Sequence, residues 1–129
     1  MIGKTIKSIL AGNAALTALV PAIKMFPYVM NEDTVLPAIV YTINGLSTEY
    51  SKGGSMTDDI EFSVHSFHNS YDDLQDIVSA IRTALELNQT GSGTQDISKI
   101  ILTAFEEGYD QGANAFWNKL TFNVLTNAY

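Results

Sequence analysis

Two histidines stand three residues apart in the stretch FSVHSFHNSYDDLQDIV (residues 62–78), with a serine between them and three aspartates close behind. Neutral imidazole is a common metal ligand and can serve as a base near neutral pH. Carboxylates complete many metal and acid–base sites. One reading is therefore a small metal-dependent enzyme, or a ligand-binding module, using His65, His68 and Asp72. The spacing weakens it. In a strand, residues three apart point to opposite faces, so the two imidazoles could not share one ion. If the strand ends at Phe67, His68 lies in the turn before a helix and could still approach a carboxylate. No HExxH or comparable ligand spacing is present. Asp72, Asp73 and Asp76 also have a simpler role, since negative charge is favoured in the first turn of a helix. The expectation is that His65 sits on the polar side of a strand and His68 in a loop, with no catalytic, metal or cofactor site.

Other signatures fail on context. GKT at residues 3–5 lacks the upstream glycine and strand of a phosphate-binding loop, and GSG at residues 91–93 precedes a strand instead of opening a helix. The chain has no cysteine, which excludes disulfides, thiolate metal sites and cysteine nucleophiles.

The elements that position these residues can be read from periodicity. Ile2, Ile6, Ile9 and Leu10 have helical spacing, broken at Gly12-Asn13, and AALTALV forms a short second helical piece ending before Pro21. AIKMFPYVM (residues 22–30) reads as a short strand, at an edge or a bulge because Pro27 has no N–H to donate. NEDT is a turn. VLPAIVYTI (residues 35–43) is apolar on both alternating faces and predicts a strand covered on both sides. The polar segment 44–59 predicts a hairpin arm with Gly53-Gly54 at its tip, into which the preceding strand can continue. Ile60, Phe62 and Val64 then alternate with Glu61, Ser63 and His65. Leu74, Ile77, Val78, Ile81 and Leu85 mark one face of a helix over 70–87, and Ser70 with Asp73 resembles a capping box. Residues 88–94 are a loop, and 96–107 and 115–125 are strands joined through GYDQGAN. The fold class is α+β, a mostly antiparallel sheet of about five strands with two main helices.

Composition narrows the function. The 129 residues fit one domain, 1–129. With fourteen acidic and seven basic residues the net charge is −7, which argues against gripping nucleic-acid phosphates. The N-terminal stretch is interrupted by Gly12, Asn13 and Thr17 and predicts no export signal. No run approaches the ~20 apolar residues of a membrane span. Trp117 alternates away from Phe116 and Leu120, either packing under a helix or arm or anchoring an interface, and Tyr50 and Tyr109 are expected at the surface of the two arms.

Taken together, LTALV, LPAIVY, the strand–loop–helix FSVHSF…SYDDLQDIVSAIRTAL and the closing KLTFNVL resemble the tail completion proteins of long-tailed bacteriophages and prophages, also described as tail terminators or head–tail joining proteins. The resemblance covers about residues 5–126; the chain departs from it at Pro21, where a glycine-led turn is usual, and in PYVMNEDTV, which has fewer glycines. It implies a structural protein with no cofactor, made in the bacterial host cytoplasm and ending in the virion. There it would sit at the head-proximal end of the tail as a homo-oligomeric, commonly hexameric, ring. Its implied partners are the tail tube protein and the head connector, with no membrane and with DNA passing unbound through the ring. The arms, and with them Tyr50, Lys52, Tyr109 and Trp117, are the expected oligomer or tail-tube contacts.

Overall fold

The computed structural model describes residues 2–29, 36–50, 56–86, 97–112 and 114–127. Helix α1 (Ile2–Gly12) stops one residue before helix α2 (Ala14–Leu19). Asn13 makes the break and caps the second helix: its side-chain oxygen accepts from the Leu16 N–H at 2.9 Å, satisfying one of the donors that a helix start leaves free. A single 3₁₀ turn over Ala22–Lys24 leads into strand β1 (Met25–Pro27). Strands β2 (Ala38–Tyr50) and β3 (Met56–His68), helix α3 (Tyr71–Glu86), and strands β4 (Ile97–Asp110) and β5 (Ala115–Asn127) complete the chain.

The five strands form one sheet in the order β1-β2-β3-β5-β4. β1 pairs parallel with β2, and the other three pairings are antiparallel. The class is α+β, as the sequence pattern predicts. The apolar faces of all three helices pack on one side of the sheet, where Leu10, Leu16, Ile77 and Ile81 meet Ile39, Phe62, Leu120 and Phe122 in a single buried cluster. At its centre the Phe62 and Phe122 rings stack with centroids 5.3 Å apart, an arrangement that adds about 0.5–1.5 kcal/mol to their burial. The other side of the sheet carries no helix among the described residues.

Two expectations need correction, the length of the first edge strand and the end of β4. The first edge strand spans three residues and not nine, because the chain turns through a 3₁₀ helix before it and Tyr28 takes a positive φ of 65° after it. The segment 44–59 forms the two strands of the expected hairpin arm: past one bulge at Asn44, β2 and β3 stay paired out to Tyr50 opposite Met56, and β5 follows β3 as far as Asn127 opposite Thr57. Backbone ladders on both sides of β3 hold this polar sequence extended. β4 likewise runs through Glu107, Gly108 and Tyr109 to Asp110, leaving 111–114 as the connection. β2 is buried on both faces at its start, as expected: Ile39, Tyr41 and Ile43 belong to the core, and Ala38 and Val40 on the helix-free side are buried too, Val40 lining a hollow there. The expected NEDT turn, the Gly53-Gly54 tip and the 88–94 loop lie outside the described residues.

Candidate functional site

Because β3 runs unbroken from Met56 to His68, its two histidines fall on opposite faces. His65 stands on the helix-free face between its cross-strand neighbours Val40 and Lys119. Burial, together with the Lys119 ammonium, pushes its pKa below the usual imidazole value, so it is held neutral at neutral pH. His68 is the last residue of β3, not a loop residue as expected, because pairing with β5 carries the strand that far; it stands on the helix face opposite Phe116. Its Nδ1 accepts the Ser70 N–H at 2.9 Å. That contact places the ring proton of neutral His68 on Nε2, which lies 3.8 Å from the Asp73 carboxylate.

This arrangement starts a helix. Ser70 Oγ accepts the Asp73 N–H at 3.4 Å, which is half of the expected capping box. The other half, a donor for Asp73 to bind at Ser70, is taken by His68. Asp72, Asp73 and Asp76 all face solvent along the first turns of α3. Among the described residues no group of three or more His, Cys, Asp or Glu side chains is placed to hold a metal ion. Ser63, near His65 in sequence, has Asn44 at 2.7 Å and Thr121 at 3.3 Å as partners, and neither is a base that could activate it.

The helix-free face is instead a row of neutral and mixed groups. Asn44 is the extra residue of a bulge in β2, and its amide links Thr42, through a 3.1 Å contact, to Ser63. Tyr28, Val29, Val40, Thr42, His65 and Phe67 line a shallow hollow of about 260 Å³ beside this chain. Trp117 lies on the same face, half-exposed and not beneath a helix. It stands opposite Gly108 on β4, and its ring covers the space where a side chain would be: a Cβ on Gly108 would come within 2.8 Å of Cζ2. Glycine is therefore required at 108 for the indole to lie flat on the neighbouring strand.

Tyr109 is exposed at the end of β4, not in a loop. Its ring meets Phe116 edge-on at 4.8 Å, and Phe116 in turn meets Tyr71 at 5.4 Å. The Tyr109 hydroxyl donates to the Asn114 side chain, whose backbone takes the positive φ of 57° needed to close the hairpin. Tyr71 donates its hydroxyl to Glu107 at 2.9 Å, which raises the phenol pKa, and Gln75 donates to the same carboxylate at 3.2 Å. Of the other two expected contact residues, Lys52 lies outside the described residues and Tyr50 is described in its backbone alone, as the last residue of β2. The three described residues are not one cluster: Tyr50 ends the sheet's long arm, whereas Trp117 and Tyr109 occupy the opposite end.

Sequence reading missed the clasp made by Lys7. Its ammonium donates to the carbonyl oxygens of Ala22 at 2.7 Å and Met25 at 2.9 Å, tying α1 to the start of the edge strand. Partial burial lowers its pKa. A lysine in an amphipathic helix with no nearby acid was the available signal. Ser66 and Asn118, cross-strand neighbours on the helix face, were missed as well; both are buried, and neither side chain has a hydrogen-bond partner within the described residues.

Comparison with known proteins gives a family. Residues 4–127 match the family described as Tail completion protein gp17. Among solved structures, the chain is similar to one in the structure titled "Virion of native gene transfer agent (GTA) particle", with a TM-score of 0.71 and 14% identity over 97% of this chain and 93% of that one. At that identity the likeness establishes the fold. No curated protein sequence matches the chain. The family match spans nearly every residue and is the family that the sequence pattern resembles; the chain belongs to the tail completion protein gp17 family, a family of phage tail structural proteins.

Proposed function

We propose that this protein is a tail terminator: a single-domain subunit that assembles as a sixfold ring at the head-proximal end of a phage or prophage tail. There it ends growth of the tail tube and presents a face to the head connector. The carrying observation is the family match over residues 4–127. The fold offers what such a role needs. A ring requires heterologous contacts, one patch against a different patch on the next subunit, and a sheet with two free edges supplies candidates. The extended β2–β3 arm with its β5 support, including Tyr50 and Lys52, is the proposed tube contact, and Tyr109 and Trp117 mark a second contact at the opposite end. The net charge of −7 would let DNA pass the ring without adhering, since phosphates meet little counter-charge. Assembly takes place in the host cytoplasm, before incorporation into the virion.

Native mass spectrometry of the purified protein, without added metal, tests the ring. The expected result is a sixfold species at the mass of the bare chain. A monomer carrying stoichiometric metal would overturn the reading and return attention to His65 and His68.

A further inference from the structure

Charge is unevenly distributed along the chain. The first 31 residues hold Lys4, Lys7 and Lys24 and no acid, a local charge of +3, while the remaining residues set four basic against fourteen acidic side chains, a charge of −10. The fold brings this division to opposite edges of the sheet. Lys24 closes the 3₁₀ turn before edge strand β1, Lys7 clasps the same turn from α1, and Lys4 lies exposed one helical turn away. At the other edge, β4 carries Glu106, Glu107 and Asp110, all exposed.

The exposed large apolar side chains divide in the same way. Among the described residues, Leu19, Ile23, Tyr28 and Val29 flank β1 on either side, and Ile23 and Val29 are 84% and 78% exposed. The others are Tyr71, Ile101, Phe105 and Tyr109, on β4 or, for Tyr71, hydrogen-bonded to it; Phe105 is 54% exposed. Isolated exposed apolar residues need no explanation, but confinement to two places does. The two edges are also unequal in form. β1 is three residues long and ends in proline, which blunts an edge, whereas β4 presents fourteen residues.

We infer that these two patches are the two halves of one self-association contact: segment 19–29 of one copy, apolar and basic, seats against β4 of the next, apolar and acidic. The inference rests on the ring reading and deepens it by naming the surfaces. Identical patches would repel across a two-fold axis, acid facing acid; opposite patches attract head to tail. A head-to-tail contact between opposite edges of a sheet propagates, and it closes into a ring when the rotation per subunit allows.

The test uses the full chain with Ile23→Asp or Phe105→Asp, each at a solvent-facing position, with circular dichroism to confirm the fold. Sedimentation velocity is run at concentrations where the wild type associates. Each variant alone should associate on the order of tenfold more weakly, or not at all. An equimolar mixture should form a dimer and nothing larger, because that pairing keeps one intact contact between an unaltered β1 edge and an unaltered β4 edge. Variants that assemble like the wild type, or a mixture that stays monomeric while the wild type associates, overturn this contact and leave the ring standing. A wild type monomeric at every concentration removes the ring, and this contact with it.

Discussion

His65 shows how one residue can suggest chemistry in sequence and serve another purpose in the fold. It is held between Val40 and Lys119, with its pKa below the ordinary value. The unfolded chain therefore takes up a proton near the ordinary value of 6.5, before the native state does. Where the unfolded state binds more protons, stability falls as pH falls. The stability linked to neutral His65 is fully present above about 6.5 and is lost as pH drops from there towards the lowered native value. His65→Gln should flatten that part of the profile, read as the urea midpoint measured from about pH 7.5 down to about pH 5. Parallel slopes in variant and wild type would show that the imidazole is not held neutral. The opposed faces of His65 and His68 were legible from a spacing of three in a strand. The His68–Ser70 contact was not, because it depends on where β3 ends relative to α3.

At the scale of elements, the reading succeeded where one period dominates. The buried face of α3 follows Leu74, Ile77, Val78, Ile81 and Leu85, and all five are buried. β3 and β5 alternate as their side chains predict. It failed where partners distant in sequence decide. The meeting of Trp117 with Gly108 depends on the β4–β5 register, which two irregularities shift, at Ser98 and Thr103. Thr103 steadies the second by donating its hydroxyl to the Thr121 carbonyl at 3.2 Å. No local pattern encodes that offset. The Lys7 clasp is equally non-local, spanning fifteen residues to Ala22 and eighteen to Met25. Lys7→Met keeps the helix and the apolar stem but removes two charge-assisted hydrogen bonds. Water can reach this half-exposed site and replace part of the loss, so the expected destabilisation is about 1–2 kcal/mol by urea unfolding. An unchanged midpoint would mean that the clasp does not hold α1 to the edge strand.

For the whole molecule, the features that matter are distributed rather than gathered in a cleft. The acidic balance was plain from composition. Its division into a basic β1 edge and an acidic β4 edge became visible only with the strand order, which sets the first and fourth strands at opposite ends of the sheet. The same holds for the exposed apolar residues, which look scattered in the sequence and fall into two patches in the fold. The most direct test is removal of its gene from the phage or prophage that carries it, with electron microscopy of the particles released. The account predicts filled heads without tails, and separate tails of uneven, overrun length, both corrected when the protein is supplied in trans. Intact particles with joined tails of normal length would contradict it.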